Sequence, residues 1–177
     1  MSFSEAPLIS TERLLLRGHR LADFDAVHAM WTSPAVYEFI TGRPSTPEES
    51  WGRLLRASGH WKLLGFGYWA VEERATGRFV GEMGFADYHR AMTPSMKDMP
   101  ELGWVLAPAV HRRGFASEAL AAIASWGDRN LKARRTACII SPDNVASLKV
   151  AARLGFKEQL RTTYHGEPTV LLYRQRP

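Results

Sequence analysis

A basic turn between a predicted strand and a predicted helix is the part of the chain best suited to chemistry. Arg112, Arg113 and Gly114 follow a strand pattern that ends at Leu106 and precede a helical pattern that starts at Phe115. The first N–H groups of a helix lack internal acceptors and lie at the positive end of its dipole. Glycine lets an anion approach the backbone. The arrangement favours pyrophosphate binding, and an ordinary strand-to-helix connection with solvated arginines is the alternative.

Most of the net charge lies in this part of the sequence. The chain has 23 Lys and Arg against 18 Asp and Glu, a formal charge of +5, and residues 111–135 hold six bases and two acids. A local positive field favours an anionic partner. Nucleic acid, acidic lipid and a phosphorylated cofactor all stay open at this point. Other phosphate motifs fit less well, since no GxxxxGK[ST] sequence occurs and no third glycine follows Gly65 and Gly67 at the dinucleotide spacing.

Length and composition exclude several classes of protein. With 177 residues the chain has room for one domain, which we expect to span residues 1–177. The hydrophobic fraction of 45% is that of globular proteins and argues against a disordered chain. No apolar run approaches the ~20 residues that cross a bilayer, no signal-peptide pattern is seen, and the single Cys138 cannot form an internal disulfide. We expect a cytoplasmic protein with no membrane contact, a buried Cys138 and no metal site.

Strand and helix patterns along the chain predict the elements that must position the basic turn. Helical spacing of apolar residues marks four segments, residues 21–32, 45–62, 115–131 and 144–154. Strand patterns mark seven, residues 13–17, 68–74, 78–88, 101–106, 136–140, 157–163 and 169–174. The predicted fold is α/β or α+β, a mixed central sheet of about seven strands flanked by about four helices. Residues 91–100, with no periodicity, are interpreted as a loop.

Four segments in order resemble the GNAT acetyltransferases and, within them, the RimJ/RimL-type branch. Residues 8–17, Leu-Ile-Ser-Thr-Glu-Arg-Leu-Leu-Leu-Arg, resemble the opening strand of that branch, and residues 79–85, Phe-Val-Gly-Glu-Met-Gly-Phe, resemble its third strand. Residues 101–119 resemble the acyl-CoA motif. Asn-Val-Ala-Ser at 144–147 with Leu-Gly-Phe at 154–156 resembles the closing Asn-x-x-Ser…Leu-Gly-Phe pattern. His111 departs from the family pattern, which has Gln or Arg there, while Gly114 and Ala116 match it.

The resemblance implies a GNAT fold and an N-acetyltransferase that uses acetyl-CoA and releases CoA. It places Val105 and Leu106 on a strand that splays from its neighbour, so that their backbone pairs with pantetheine and an N–H near Leu106 holds the thioester oxygen. Attack on a thioester builds negative charge on that oxygen. Asn144 could bond a pantetheine amide, or only cap its helix. The residues implied for the cofactor are Val105, Leu106, Arg112, Arg113, Gly114, Phe115, Ala116, Ser117, Asn144 and Ser147.

Four residues are the candidates for proton transfer. An amine acceptor is protonated near pH 7 and must lose a proton before it attacks, and a carboxylate is the usual base. Glu101, which opens the strand that meets the thioester, is the first candidate, and Glu82 on the preceding strand is the second. Ser147 is a candidate acid for the leaving thiolate, and Tyr164 is its rival because a phenol pKa near about 10 suits a thiolate. Ion pairing, packing and turn formation are the alternative roles for these side chains.

The acceptor stays open between two classes of amine. The resemblance implies a protein N-terminal α-amine, and a small amine such as an amino acid, polyamine or antibiotic is the alternative. A non-catalytic acyl-CoA- or RNA-binding protein that uses the basic helix end is a third hypothesis. The aromatic residues of the first 70 positions and the loop at 92–99 are candidates for the wall of an acceptor pocket. Ribosome association and a homodimer complete the expected partners.

Overall fold

The structure, a computed structural model, describes residues 3–177, in which eight strands form one sheet. The strands are β1 (Ile9–Ser10), β2 (Leu14–Arg17), β3 (Tyr68–Glu73), β4 (Phe79–Ala86), β5 (Glu101–Leu106), β6 (Arg135–Ile140), β7 (Lys157–Tyr164) and β8 (Glu167–Gln175). The helices are α1 (Phe24–Trp31), α2 (Pro34–Tyr37), α3 (Pro47–Leu64), α4 (Phe115–Asn130) and α5 (Val145–Arg153). The predicted mixed α/β fold is confirmed. Sequence patterns missed β1 and α2, which are too short to show a period.

The order of strands in the sheet is β1-β2-β3-β4-β5-β6-β8-β7. All neighbours are antiparallel except β5 and β6, which run parallel. The parallel pair is joined through the long connection that contains α4, as parallel strands require. The two hairpins β3–β4 and β7–β8 turn at Gly77 and at His165-Gly166, where the φ angles are positive.

The sheet has a core on each face because successive side chains of a strand point to opposite sides. Leu102 of β5 packs with the buried residues Leu120 and Ile123 of α4, and we call this side the α4 face. Val105 of the same strand packs instead with Val27 of α1 and Leu54 of α3, and we call this side the α1/α3 face. β5 therefore lies in the middle of the fold, with a helix layer on both sides.

Local sequence signals set the ends of the helices. α3 starts with a capping box between Thr46 and Glu49, followed by Pro47 in its first turn, and ends at Gly65 in the left-handed conformation. Gly155, with φ 86°, follows the end of α5. Cys138 is buried in the core beside α4, and burial raises the pKa of its thiol well above the ordinary value. Over residues 3–177, no helix combines the length and apolar character needed to cross a bilayer.

Candidate active site

A gap in the sheet opens between β5 and β6. The two strands pair only at Glu101 and Ala137, and beyond that point the edge of β5 is unpaired. On the other side of β5, the Ala107 N–H donates to the Val80 carbonyl at 2.9 Å, and Val105 lies opposite Glu82 of β4. Backbone groups of an antiparallel strand alternate between its two edges. The backbone of Val105 therefore faces β4.

The expectation of an exposed backbone at both Val105 and Leu106 needs this correction. Trp104 and Leu106 direct their backbone N–H and carbonyl groups to the gap, whereas the backbone of Val105 is used by β4. His111, the departure from the family pattern, has its Nε2 3.0 Å from the Leu106 carbonyl oxygen. The imidazole thus meets one exposed carbonyl of the open edge and leaves the Leu106 N–H free.

The basic turn lies directly beyond the end of β5 and brings free N–H groups to the start of α4. Arg112 and Gly114 both have positive φ, 62° and 81°, and a bend with residues in this conformation points successive N–H groups toward one side. The first hydrogen bond of the helix runs from the Glu118 N–H to the Gly114 carbonyl, at 3.1 Å. In the described part of the chain, no acceptor bonds the N–H groups of residues 115–117. The side chain of Phe115 is buried, so only its backbone is available.

Arg13, which the sequence reasoning missed, lies at this turn. Its Nε donates to Glu118 at 2.7 Å and its Nη1 donates to the Arg113 carbonyl at 3.0 Å. Arg13 reaches the turn from the start of β2, about a hundred positions away in sequence, and no local pattern could have indicated it. Its guanidinium carbon is 4.8 Å from the centre of the Phe115 ring. The turn therefore carries a third cation.

The two arginines of the turn differ in their electrostatic role. Arg113 bonds the Glu73 carboxylate at 2.5 Å and lies 4.5 Å above the Phe115 ring, so its charge is largely compensated. The bond from Arg113 lowers the pKa of Glu73. Arg112 is exposed and, within residues 3–177, has no acidic partner. Of the two arginines at 112–113, only Arg112 therefore keeps a positive charge that no carboxylate of residues 3–177 compensates.

The cations of residues 111–135 do not form one field, which corrects the prediction from the sequence. α4 has 16 residues, so its two ends are about 24 Å apart at ~1.5 Å per residue. A second cluster, which we call the basic end, lies where α4 and β8 end and β6 begins. Contacts such as Arg176 N–H to the Arg134 carbonyl at 2.9 Å hold it together. The basic end consists of Arg129, Lys132, Arg134, Arg135, Arg174 and Arg176.

Only one cation of the basic end is neutralised by a carboxylate. Arg174 binds both oxygens of Asp128, at 2.6 and 2.7 Å. In the part of the chain that the structure describes, the other five have no acidic partner.

The start of α5 lies at the same end of the gap as the basic turn, because β5 and β6 are parallel and each is followed by its helix. Asn144 caps α5, with its Oδ1 accepting from the Ser147 N–H at 3.1 Å. The capping alternative for Asn144 is thus confirmed, and the NH₂ group of the same amide stays available for a ligand. Ser147 is half-buried one turn into the helix.

Arg90 brings Glu101 and Tyr164 together on the α1/α3 face. Its Nε and Nη2 bond the two oxygens of Glu101 at 2.5 and 2.8 Å, and the ion-pair alternative for this carboxylate is confirmed. Burial disfavours the charge on Arg90, but Glu101 outweighs it, and the pKa of Arg90 lies above its ordinary value. The same guanidinium is 5.0 Å from the centre of the Tyr164 ring and 4.6 Å from that of Tyr88.

Glu82, the second candidate base, is buried and fully engaged. Trp31 donates to one carboxylate oxygen at 2.8 Å, and His19 Nε2 lies 3.1 Å from the other. Burial raises the pKa of Glu82, but the bonds from His19 and Trp31 outweigh it, so the pKa lies below its ordinary value. This carboxylate holds α1 against the sheet opposite Val105.

A cavity of about 220 Å³ adjoins the Arg90–Glu101 pair on this side of the sheet. Its walls include Tyr88, and also Met96 and Met99 of the loop at 92–99 that was expected to line an acceptor pocket. None of the aromatic residues that the structure describes in the first 70 positions, the other expected wall, lines this cavity. Nearby, Tyr68 lies across Gly103 of β5, so close that a Cβ on that glycine would be 1.8 Å from the phenol oxygen. Burial raises the pKa of Tyr68. Sequence reasoning named none of Tyr68, Tyr88 and Arg90, since nothing in their spacing marks them.

Comparisons with known proteins agree with this arrangement. A family model described as acetyltransferase (GNAT) domain matches residues 13–157. The N-acetyltransferase YoaA of Bacillus subtilis is 26% identical over 157 residues, 86% of this chain and 84% of that protein. A GnaT-family acetyltransferase structure from Bordetella pertussis is 30% identical, with a TM-score of 0.84 and coverage of 96% of this chain and 99% of that one. RimL, a ribosomal L7/L12 alpha-N-protein acetyltransferase solved with coenzyme A, has a TM-score of 0.76 at 18% identity, covering 96% and 98%.

Proposed function

This chain belongs to the GNAT acetyltransferase family, and from that starting point we propose that it transfers the acetyl group of acetyl-CoA to a protein N-terminal α-amine. Membership makes it an N-acetyltransferase, and the relatives carry the same description. The single observation that carries the donor assignment is the open edge of β5, which leads directly to the free N–H groups at the start of α4. RimL, which shares the fold, is solved with coenzyme A, and this supports the same donor here.

The residues of the gap fit the parts of acetyl-CoA in order. Free N–H groups of residues 114–117 would bind the pyrophosphate, with Arg112 supplying the uncompensated positive charge and Arg13, paired with Glu118, holding the turn in place. The backbone of Trp104 would pair with pantetheine, as one strand pairs with another. At Leu106 the carbonyl is met by His111, so only the N–H of that residue is free to face the thioester. The side-chain NH₂ of Asn144 would bond a pantetheine carbonyl from the opposite wall. The space in front of Gly114 is open and can take the phosphate. A Cβ built at this position would have one neighbour within 4 Å, the tip of the Arg13 side chain at 3.4 Å.

The reaction we propose is direct attack on the thioester. The amine nitrogen bonds the carbonyl carbon, the tetrahedral intermediate collapses, the C–S bond breaks, and the thiolate takes a proton. The Leu106 N–H would stabilise the oxyanion, since a fixed donor is in place before charge develops. Ser147 and Tyr164 are the two proposed donors of the proton to sulfur. Cys138 is buried, which disfavours an acetyl-enzyme at that thiol.

The pairing of Glu101 with Arg90 favours an α-amine over a lysine amine. We propose that Glu101 accepts the amine proton, directly or through a water molecule. Both oxygens of Glu101 already accept bonds from Arg90, so taking up a further proton must displace one of them. An α-amine with a pKa of about 8 is partly neutral at pH 7, whereas a lysine amine with a pKa of about 10.4 is almost entirely protonated. A carboxylate whose oxygens are already engaged therefore suits the α-amine, which needs help with its proton less often, better than the lysine amine.

A panel of acceptors tests this proposal. We expect acetyl-CoA to bind in isothermal titration, and peptides with free N-termini to be acetylated while lysine side chains, polyamines and aminoglycosides are not. Efficient acetylation of free small amines, with peptides inactive, would move the assignment to the small-amine class. No acetyl-CoA binding at millimolar concentration would contradict the donor assignment itself.

Ribosome association is a second proposal, and a separate observation favours it. The basic end presents five cations without acidic partners in residues 3–177, about 24 Å from the turn at the other end of α4. Clustered cations favour a phosphate backbone. An RNA contact there leaves the donor site open, so binding and catalysis are compatible.

A further inference from the structure

Two arginines one turn apart on α3 lie over aromatic rings on the α1/α3 face. The guanidinium carbon of Arg53 is 3.7 Å from the centre of the Trp31 ring, and that of Arg56 is 5.2 Å from the centre of the Tyr88 ring. Residues three apart share one face of a helix. A guanidinium that stacks through its flat face keeps its N–H donors, which point outward in the plane, for another partner.

Arg53 is short of acceptors. Its Nε is buried without a hydrogen-bond partner, and its one side-chain hydrogen bond is a long contact of 3.5 Å to the Ser45 hydroxyl. Burial and the charge of Arg56 both lower the pKa of Arg53. Two cations are therefore held side by side at a free-energy cost that a bound anion would offset.

The carboxylates nearest to Arg53 are engaged elsewhere. Glu49 bonds Arg43 at 2.6 Å, and Glu82 lies 3.1 Å from His19. Their charges act on Arg53 only over a longer distance. Over residues 3–177, neither Arg53 nor Arg56 forms an ion pair.

The arginine pair also faces the acceptor side. The Tyr88 ring that lies near Arg56 is also close to Arg90, whose guanidinium carbon is 4.6 Å from the ring centre. Arg90 in turn binds the Glu101 carboxylate. Tyr88, Arg90 and Glu101 all line the cavity beside β5. An anion bound by the two arginines would thus lie next to the place where the acceptor amine must arrive.

We propose that Arg53 and Arg56 form an anion subsite that binds a carboxylate of the amine acceptor. This inference rests on the proposed function and narrows its substrate to amines that carry a carboxylate nearby. The carboxylate comes from an acidic side chain at the second or third position of a peptide, or from the α-carboxylate of a free amino acid.

Equilibrium binding tests this without relying on turnover. The probes are the peptide amides Ser-Asp-Glu-Ala-Ala and Ser-Asn-Gln-Ala-Ala, and the pair serine and serinamide, titrated into CoA-saturated protein. We expect the acidic peptide to bind about tenfold or more tightly than its amide twin, because charge-assisted bonds to arginine are lost in the twin. Arg56→Gln should remove this preference. Arg161→Gln, which breaks an exposed pair with Glu158, is the matched control and should keep it.

The outcomes separate this inference from the proposed function. Three results would overturn the anion subsite. The acidic and neutral members of both pairs bind with equal affinity, or Arg56→Gln weakens the binding of the acidic and the neutral peptide equally, or no probe binds at all. A preference for serine over serinamide alone assigns the α-carboxylate as the anion. Selective binding of the acidic peptide with no acetylation of any amine supports the subsite and overturns the proposed function. Arg56 is exposed, so its variant tests the inference even where Arg53→Gln fails to fold.

Discussion

Arg90 binds both oxygens of Glu101, at 2.5 and 2.8 Å, at the one point where β5 and β6 pair. The carboxylate is only 6% exposed, so almost all of its stabilisation must come from this partner. The pair stands at the apex of the gap, with the proposed donor cleft on one side and the cavity of about 220 Å³ beside it. It therefore couples the stability of the sheet to the proposed proton transfer.

Breaking the Arg90–Glu101 pair should lower the stability of the protein, and a second substitution at Glu101 should restore most of it. Arg90→Gln leaves a buried carboxylate unpaired, and we expect a loss of about 2–4 kcal/mol in the free energy of unfolding. The double variant with Glu101→Gln should regain most of it, because no buried charge is left. Urea denaturation of the four proteins measures the cycle. An additive cycle would show that the two side chains are not coupled.

The same carboxylate should be needed for turnover. Glu101→Gln keeps the shape and removes the base, and we expect kcat/KM for a peptide acceptor to fall about 10²–10⁴-fold. Acetyl-CoA affinity in isothermal titration should stay unchanged. Full activity in this variant would transfer the role of base to another group.

Gly114→Glu should abolish donor binding. It places a carboxylate at a positive φ of 81°, beside the N–H groups proposed to hold the pyrophosphate. We expect the KM for acetyl-CoA to rise at least about tenfold. Gly155→Glu, at φ 86° with nothing within 4 Å of a Cβ, is the control for backbone strain. Equal KM values in the two variants would contradict pyrophosphate binding at the turn.

Gly103→Ala should impair transfer without affecting the donor. The new methyl group would be 1.8 Å from the Tyr68 hydroxyl and must displace that ring from the acceptor side of β5. We expect a lower kcat, a loss of about 1–3 kcal/mol in stability, and unchanged CoA affinity. Gly59→Ala, with open space around it on α3, is the matched control. Unchanged kcat would show that the position of Tyr68 does not matter.

Stability at acid pH should depend on Glu82. Its pKa in the folded protein lies below the ordinary 4.5, because the bonds from His19 and Trp31 outweigh the effect of burial. Between the folded and unfolded pKa values the unfolded chain binds more protons, so stability rises with pH. The contribution is complete above about 4.5 and is lost as pH falls through the folded pKa. We expect Tm to fall less steeply below pH 4.5 in Glu82→Gln than in the wild type, measured by calorimetry from pH 3 to 7.

The basic end should bind RNA in a salt-dependent way that CoA does not affect. Replacing Arg134 and Arg135 by Gln removes two of its five uncompensated cations, and the slope of log affinity against log salt should fall by about two. Acetylation of a free peptide should not change. An unchanged slope, or competition between RNA and CoA, would contradict a separate RNA surface.

The sequence by itself predicted most of the elements and the place of the proposed donor site. Apolar periodicity and the Arg-Arg-Gly sequence at 112–114 are local features, so they predicted most of the strands, the long helices and the basic turn before α4. The family motifs span most of the chain for the same reason. Only the two-residue β1 and four-residue α2 are too short to leave a periodic signal.

The tertiary structure decided which side chains face the reaction. Arg13 reaches the turn from the start of β2, and Arg90 is the partner that decides for ion pairing at Glu101. Val105 turns its backbone to β4 while Leu106 faces the gap. α4 separates cations that are neighbours in the sequence into two surfaces, one at each of its ends. These outcomes depend on strand pairing and on contacts between distant segments, and a pattern of residue types within one segment carries no information about them.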